Sequence, residues 1–441
     1  MRQGEFIWRR ELSRCFIVVL LVFAVGFMNG CSSRTDKESP EAKAGKVTIV
    51  YAHPPCPPDL LKIYDRIFEK FRKTHPHINL RVLYITADYE SKILTMFAGN
   101  TAPDVIFMYP NALPVWSSKN ALREIEPFIE KDPDFNLNDY YPGMLRTFTY
   151  KGHLYGLPKD ASASILYYNK EMFAKEGVEF PNESWTWDDF LEAAKRLTKR
   201  DESGGIIQYG AGPYPLFDLI WQNGGRVLSE DGKRCLLDSP EAIEAIQFKA
   251  DLIRKYRVTP LPPEGEIAGV GSRREFFTMG KMAMHIEMYP AVSILRQTCK
   301  FDWDIAPLPS GKVRRGSMVV GSALAITTQS KHPQQAWEWI KWLTGAEGMK
   351  DLASVELPSY IPLAKSSWFL DPHTLPRNKQ AAVEAMNYVY PPPEHAKWLE
   401  IGSIINREIE SVWYDKKDVK QVCQELVALY KRDFSTSGER R

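Results

Sequence analysis

Short apolar runs and amphipathic stretches alternate along residues 46–109. A β-branched run at 46–51 predicts a strand, alternation of apolar and polar residues at 78–84 predicts a second, and the continuous apolar run at 104–109 predicts a third, buried on both faces. Between them, apolar residues at three- and four-residue spacing predict two helices. This order favours a parallel α/β sheet.

Ligands of such sheets bind beyond the carboxyl ends of the strands. The loops that follow the first and third predicted strands are therefore candidate walls of a binding cleft. They contain His53, Tyr109 and Asn111.

The rest of the chain is mainly helical in pattern. Thr186 and Asp189 predict a capping box that opens a helix over 187–199. Further helices are predicted from Pro240 onward, over 334–344 and over a long region from 394 to 431, with strands at 282–286 and 318–326. The segment 209–225 is rich in Gly, Pro and aromatic residues, which indicates either an irregular connection or a binding surface.

The first 45 residues have the pattern of an export signal followed by a tether. Basic residues precede the apolar stretch 16–27, which is too short to span a bilayer comfortably. Gly30-Cys31 resembles a lipobox, so we expect a lipoprotein signal peptide at 1–30, lipidation at Cys31 and a flexible tether at 31–45. The alternative is ordinary signal cleavage that leaves Cys31 as a free thiol or half of a disulfide. Residues 435–441 are predicted to be a disordered tail.

Composition limits the classes of function. A chain of 441 residues suggests two domains, and 57 basic against 55 acidic side chains give no electrostatic footprint for nucleic-acid binding. The 53 aromatic residues (12 Trp, 20 Tyr and 21 Phe) either pack in the core or line a cleft.

The cysteine spacing indicates no metal site, and the common catalytic motifs are absent from the sequence. Besides Cys31, an oxidising compartment permits up to two disulfides, in any of three pairings, among Cys56, Cys235, Cys299 and Cys423. None of these has the close spacing of a zinc site, so no metal and no cofactor are expected. The sequence also lacks a nucleophile elbow, a phosphate loop and a His-Glu-x-x-His pair.

Eight segments occur in a characteristic order. Together they resemble the extracellular solute-binding proteins that feed sugars to ABC importers, such as maltose-binding protein. The segments are FAGNTAPDVIFM (97–108), LYGLPKDASASILYYNK (154–170), WTWDDFLEAAKRLT (185–198), QNGG (222–225), SPEA (239–242), FTMGKMAM (277–284), WDIAPLPSG (303–311) and AWEWIKWLT (336–344).

The resemblance implies a two-lobe, periplasmic-binding-protein-like α/β fold with hinge strands between the lobes. The first lobe is expected to take residues 46–157 and 287–320, and the second 167–284 and 327–434. The crossings between lobes are expected near 159–166, at His285 and at 321–326. The protein would be a monomer that closes over a sugar or related polyol and docks on the permease subunits of an importer. It would be held by its lipid at the cell membrane, facing the periplasm or the exterior.

A sugar site needs aromatic plates for C–H faces and a few fixed polar groups for hydroxyls. By resemblance, Trp398 is the stacking aromatic, and Met108 and Ser162 depart from the Trp and Glu of the maltose-binding member. The expected ligand-binding residues are His53, Tyr109, Asn111, Asp160, Ser162, Tyr214, Trp221, Glu287, Tyr289, Gly321, Ser322 and Trp398.

Three other functions remain open from the sequence. A carbohydrate-active enzyme would need two carboxylates across a sugar bond, for which Asp160 and Glu287 are the candidates. A binding protein for glycerol phosphate-type anions would use the charges of Arg273, Arg274, Arg314 and Arg315. A surface adhesin is the third, although the chain has no repeats.

Overall fold

Strands and helices alternate along the computed structural model, which describes residues 45–261, 274–393, 395 and 397–434. The strands are β1 (Val47–His53), β2 (Ile78–Tyr84), β3 (Val105–Met108), β4 (Thr149–Tyr150), β5 (His153–Leu154), β6 (Leu157–Ser162), β7 (Ser164–Asn169), β8 (Lys199–Arg200), β9 (Ile206–Ala211), β10 (Met282–Met288), β11 (Trp303–Ala306), β12 (Ser317–Met318), β13 (Val320–Ile326), β14 (Leu357–Pro358) and β15 (Val389–Tyr390).

The helices complete the element order. They are α1 (Pro58–Thr74), α2 (Tyr89–Ala98), α3 (Leu113–Ser118), α4 (Glu126–Ile129), α5 (Pro142–Thr147), α6 (Lys170–Lys175), α7 (Trp187–Leu197), α8 (Leu216–Gln222), α9 (Pro240–Ile253), α10 (Arg274–Thr278), α11 (Ala291–Thr298), α12 (Pro333–Thr344), α13 (Ala346–Met349), α14 (Ile361–Ala364), α15 (Gln380–Ala385), α16 (Trp398–Trp413) and α17 (Val419–Asp433). Short 3₁₀ turns lie at Pro110–Ala112, Leu137–Asp139, Leu352–Ser354 and Met386–Tyr388.

The first sheet has the strand order β14-β6-β13-β3-β1-β2. Strands β2, β1 and β3 are parallel, as the sequence predicts, whereas β13 runs antiparallel to both β3 and β6. The amino end of β13 therefore lies beside the carboxyl ends of β3 and β6. Helix α12 covers this sheet by packing on β1, β6 and β13.

The second sheet has the order β11-β7-β10-β9-β8. Helices α7 and α15 pack on its strands, and α8, α9, α16 and α17 contact one another around a second apolar core. Thr186 and Asp189 form the predicted capping box, with each side chain bonded to the other residue's backbone N–H. The predicted α/β architecture of two sheets joined by crossing strands is confirmed.

The chain crosses from the first sheet to the second at Ala163, the single residue between β6 and β7. It re-enters the first sheet after Val319, which lies between β13 and β12, the latter paired with β15 in a separate two-stranded sheet. The expected crossing at His285 differs from the structure, because β10 stays paired with β7 through Met288.

The lobe boundaries also differ from those expected. Residues 287–320 were assigned to the first lobe, but β11 pairs with β7 in the second sheet. Residues 327–434 were assigned to the second lobe, but β14 pairs with β6, and α12 packs on the first sheet. A strand pattern predicts a strand but does not select its partner, which is why these two segments were misplaced. The signal, residues 31–44 and the tail lie outside the described residues.

All four cysteines of the described chain, Cys56, Cys235, Cys299 and Cys423, are free thiols. Cys235 and Cys423 are buried, whereas Cys56 and Cys299 are half-buried. No helix among the described residues combines the length and apolar character needed to cross a bilayer.

A buried carboxylate on the second lobe anchors the return crossing. Asp218 of α8 is 2% exposed, and its Oδ1 accepts hydrogen bonds from the backbone N–H of Met318 at 2.8 Å and from the hydroxyl of Tyr390 at 3.2 Å. Its Oδ2 has no partner among the described residues. Burial raises the pKa of Asp218 from 3.8 to about 6, and the hydrogen bond from Met318 opposes that rise.

This raised pKa predicts the sign of a pH effect on stability. Protonated Asp218 favours the folded state, so its contribution is present below pH 3.8 and is lost as the pH rises through about 6. Relative to wild type, Asp218→Asn should therefore gain about 2 kcal/mol in free energy of unfolding between about pH 4 and about pH 7. Denaturant unfolding at a series of pH values measures this difference.

Asp132→Asn is the control of opposite sign. Although burial opposes it, hydrogen bonds from Lys341 and Trp337 lower the pKa of Asp132. The Asp132 variant should therefore lose stability relative to wild type as the pH rises. A difference between wild type and Asp218→Asn that does not vary with pH would refute the assignment for Asp218.

Candidate functional site

A cavity of about 320 Å³ lies where the carboxyl ends of β1, β3 and β6 meet the amino end of β13. The pairing registers place Val320 opposite Ser162 and Ala323 opposite Met108, so residues distant in sequence converge at this edge. We call this space the polar cavity. Its lining residues are His53, Pro54, Pro55, Cys56, Pro57, Leu60, Tyr64, Phe107, Tyr109, Asp160, Ala161, Ser162, Pro290, Val320, Gly321, Ser322, Glu356 and Leu357.

Half of the predicted ligand-binding residues line the polar cavity. They are His53, Tyr109, Asp160, Ser162, Gly321 and Ser322. His53 and Tyr109 were expected from the carboxyl ends of strands, and the other four from the lobe crossings that the family resemblance implies.

The charges at the cavity form one connected cluster. The ammonium of Lys159 is 1% exposed and lies 2.7 Å from Asp160 Oδ2 and 2.6 Å from Glu356 Oε2. It also lies 5.8 Å from the ring centroids of Tyr64 and Phe107. Burial favours neutral Lys159, but the two carboxylates outweigh burial and raise its pKa above the ordinary value.

Asp160 is fixed from both sides. Its Oδ1 accepts from the backbone N–H of Ser322 at 2.7 Å, and its Oδ2 accepts from the Ser322 hydroxyl at 2.8 Å. Gly321 permits this close approach of β13 and β6, because a Cβ there would lie 2.5 Å from the Asp160 carbonyl oxygen. Packing between strands therefore explains the glycine.

His53 presents an unused acceptor. The residue is 2% exposed; its Nδ1 lies 2.6 Å from the Pro54 carbonyl, and Nε2 has no partner among the described residues. Burial lowers the pKa of His53 to about 4, the Pro54 hydrogen bond opposes this shift, and nearby Lys159 adds to it. At neutral pH the imidazole is uncharged, with Nδ1–H donating to Pro54 and Nε2 carrying a lone pair.

A second cavity, of about 340 Å³, lies on the second lobe. Aromatic, proline and aliphatic side chains form most of its wall, and we call it the aromatic cavity. Its lining residues are Phe217, Ile220, Trp221, Gly225, Arg226, Val227, Leu228, Ser229, Glu230, Met318, Tyr390, Pro391, Pro392, Pro393 and Trp398.

The predicted stacking residues Trp221 and Trp398 both line the aromatic cavity, but in different settings. Tyr390 stacks on Trp221 with centroids 4.3 Å apart and an interplanar angle of 18°. The guanidinium carbons of Arg314 and Arg226 lie 4.9 and 5.5 Å from the same Trp221 ring. These contacts cover much of the Trp221 ring. Tyr390 and Trp398 are themselves 7% and 8% exposed, so each gives only a small part of its ring to the cavity wall.

Two other aromatic predictions differ from the structure. Tyr214 is 1% exposed, and its hydroxyl bonds to Gln222 Oε1 at 3.1 Å in the core of the second lobe. Tyr289 is fully buried against Phe369, and its backbone N–H bonds to the Ser162 hydroxyl at 3.2 Å. Neither lines a cavity, because both rings complete apolar cores.

The predicted polar residues Asn111 and Glu287 also line neither cavity. The Asn111 amide donates to Glu90 at 2.9 Å. Glu287 is 6% exposed, pairs with the guanidinium of Arg274 and lies 3.0 Å from His285 Nε2. Since Glu287 forms a buried ion pair instead of facing Asp160 across a cavity, the carboxylate pair considered for a glycosidase is not assembled.

The two cavities adjoin at the return crossing. Met318 lines the aromatic cavity and Val320, two residues later, lines the polar cavity. Two residues span about 7 Å at most, so the linings of the two cavities approach each other along the backbone here.

Three residues of these walls were missed by sequence reasoning: Tyr64, Glu356 and Tyr390. Tyr64 lies in the amphipathic pattern of α1 and reads as core, and Glu356 follows a 3₁₀ turn with no motif. Of the three, Tyr390 could most readily have been predicted from the sequence, because it directly precedes the prolines 391–393. Among the described residues no cluster of His, Cys, Asp or Glu is arranged to hold a metal ion.

The chain was compared with known proteins. A family model described as bacterial extracellular solute-binding protein matches residues 57–350. The arabinooligosaccharide-binding protein of Bacillus subtilis (strain 168) is 24% identical over 384 residues, covering 81% of this chain and 82% of the relative. The sn-glycerol-3-phosphate-binding periplasmic protein UgpB of Salmonella typhimurium is 22% identical over 397 residues, covering 84% and 88%.

Solved structures share the fold. An ABC substrate-binding protein from Listeria monocytogenes in complex with cycloalternan is 25% identical, with a TM-score of 0.74 over 90% of this chain and 100% of its own. The sugar-binding protein MalE from Xanthomonas citri is 20% identical, with a TM-score of 0.75 over 89% and 100%. Because the family match covers more than half of the sequence, the chain belongs to the bacterial extracellular solute-binding protein family.

Proposed function

We propose that this protein binds a saccharide that carries no phosphate group between its two lobes and delivers it to an ABC importer. The observation that carries the proposal is the pair of adjoining cavities, one lined by fixed polar groups and the other by aromatic rings. Saccharides combine hydroxyl edges with apolar C–H faces, which is the chemistry that these two walls offer.

The polar wall supplies hydrogen-bond acceptors for hydroxyl groups. Asp160 and Glu356 are largely buried yet keep 18% and 14% of their side-chain surface exposed, and both line the cavity. His53 adds an uncharged acceptor. On the aromatic wall, Trp398 and Tyr390 are largely covered and contribute the small exposed part of their rings, and Tyr109, 40% exposed, adds a ring at the edge of the polar wall.

The relatives support a carbohydrate ligand. The B. subtilis relative is an arabinooligosaccharide-binding protein, and the Listeria structure holds cycloalternan. In this proposal the crossings at Ala163 and Val319 act as hinges, and higher affinity of the ligand for the closed arrangement drives closure. The N-terminal pattern supports a lipid anchor at Cys31 that holds the protein beside its permease.

Relatedness to UgpB raises glycerol phosphate as a second ligand class. The structure engages the candidate arginines of the described residues elsewhere: Arg274 with Glu287, Arg314 on Trp221, and Arg315 with the Leu308 and Glu183 carbonyls. Arg273 lies outside the described residues. Among the described lining residues the polar cavity has no Lys or Arg, and Arg226 of the aromatic cavity is paired with Glu230 at 2.9 Å. These contacts favour a ligand without negative charge over a phosphate ester.

Thermal unfolding of the purified full-length protein against neutral oligosaccharides and glycerol phosphates tests the proposal. A ligand at 100 times its Kd should stabilise the protein by about 2.7 kcal/mol. We expect a selective shift with a saccharide that carries no phosphate. A shift with phosphate esters alone would refute this ligand class, and no shift with any saccharide would refute sugar binding.

Replacing Tyr109 with alanine should weaken saccharide binding. Loss of the ring contact should cost about 1.4 kcal/mol, roughly a tenfold rise in Kd measured by calorimetry. Trp368→Ala is the control, because Trp368 is similarly exposed at 44% but lines neither cavity. Equal effects of the two substitutions, or no effect of Tyr109→Ala, would remove Tyr109 from the site.

Cys56 provides a reporter of occupancy, because its half-buried thiol lines the polar cavity. A bound saccharide should slow alkylation of Cys56 about fivefold or more, because the ligand in the pocket sterically excludes the alkylating reagent. Cys299, also half-buried but outside both cavities, should react at an unchanged rate. Peptide mass spectrometry resolves the two sites; unchanged alkylation of Cys56 under a saturating saccharide would place that ligand elsewhere.

A further inference from the structure

The charges around the polar cavity do not balance. Two carboxylates, Asp160 and Glu356, line the cavity, and no Lys or Arg is among its described lining residues. Lys159 is the cation of the cluster, and its ammonium is 1% exposed behind the two carboxylates. One positive and two negative groups leave a net negative charge at this corner.

The buried lysine has no spare capacity for a ligand anion. Its ammonium already meets both carboxylates at 2.7 and 2.6 Å and lies over the rings of Tyr64 and Phe107. Burial raises the pKa of Glu356, the attraction of Lys159 opposes that rise, and the repulsion of Asp160 adds to it. Lys159 therefore does not fully offset the burial and the repulsion from Asp160 that disfavour ionised Glu356.

The uncharged groups of the cavity also favour donors on the ligand. His53 Nε2 is a buried acceptor without a partner among the described residues. Asp160 and Glu356, when ionised, accept hydrogen bonds and donate none. A ligand with N–H or O–H groups donates hydrogen bonds to these acceptors. A ligand with a phosphate group is repelled by the ionised carboxylates.

We infer that the polar cavity selects saccharides that carry a protonated amine, placed against Asp160 and Glu356, over their neutral and phosphorylated counterparts. This inference rests on the proposed saccharide-binding function and names the substrate class of the same site. An ammonium adds the missing positive charge and supplies three donors to an acceptor-rich wall. A phosphate ester has to displace a carboxylate from Lys159 or remain unpaired, which is costly in a buried site.

Cys56 allows the sign of the potential to be measured without knowledge of the sugar. The full-length protein is treated with a cationic (trimethylammonium-ethyl) or an anionic (sulfonato-ethyl) methanethiosulfonate, and the modification rate of Cys56 is followed by peptide mass spectrometry. Each rate is divided by that of the same reagent with 2-mercaptoethanol, which removes the intrinsic difference between reagents. A net negative corner should make the normalised cation-to-anion ratio about tenfold or greater.

Two variants assign that ratio to the cluster. Glu356→Gln and Asp160→Asn each remove one negative charge while keeping the side-chain shape, so the ratio should fall toward one in both. A melting curve establishes that each variant is folded, and either variant alone suffices. A wild-type ratio of one or less, or a ratio that persists in a folded variant, would overturn the electrostatic part of the inference, whether or not the protein binds sugars.

The substrate class is tested by matched pairs of ligands. Neutral sugars, their amino-deoxy counterparts and their phosphate esters are compared by thermal unfolding of the full-length protein. We expect at least one amine to give a larger shift than its parent sugar, and Glu356→Gln to abolish that difference. If every amine shifts the melting temperature no more than its parent, the inference fails, and shifts with neutral sugars alone would leave the proposed function standing without it.

Discussion

The chain passes from the first sheet to the second through a single residue, Ala163. This short passage constrains the whole molecule. Strand β6 ends at Ser162 and β7 begins at Ser164, so the two sheets cannot separate at this point. The aromatic cavity is lined by α8, residues 225–230, Met318, residues 390–393 and Trp398 instead of by strands of the second sheet. The polar cavity has the end of β6 in its lining, at the crossing itself. The return passage at Val319 lies beside it, because Val320 pairs with Ser162. The cavities adjoin for this topological reason, and Asp218 secures the return passage by accepting the N–H of Met318.

Electrostatics then distinguishes the two walls. A lysine with 1% exposure would be unstable alone, and Asp160 and Glu356 compensate its burial while leaving part of their own surface to the cavity. The opposite wall contains stacked rings, with one ion pair between Arg226 and Glu230 at its edge. In the proposed site, one wall orients polar groups of the ligand and the other covers its apolar faces.

The sequence allowed the fold to be predicted, together with half of the candidate residues that the structure places around the polar cavity. Periodicity identified β1, β2 and β3, and the rule that ligands bind beyond carboxyl ends nominated His53 and Tyr109, which line that cavity. Partner choice was not predictable: β11 and β14 are short, and nothing in their residues selects a sheet. Long-range ion pairs were equally hidden. Glu287 had the appearance of a ligand-binding carboxylate, but Arg274 neutralises it, whereas Glu356 has no motif and reaches the site by tertiary packing.

The central claim is that the two cavities are walls of one saccharide site. Hydrogen–deuterium exchange of the full-length protein, with and without a saccharide that raises its melting temperature, tests this most directly. The account predicts that the same ligand slows exchange in both walls: in residues 159–162 and 320–322 of the polar wall and in residues 225–230 of the aromatic wall. Protection confined to one wall, or found in neither, would contradict a shared site.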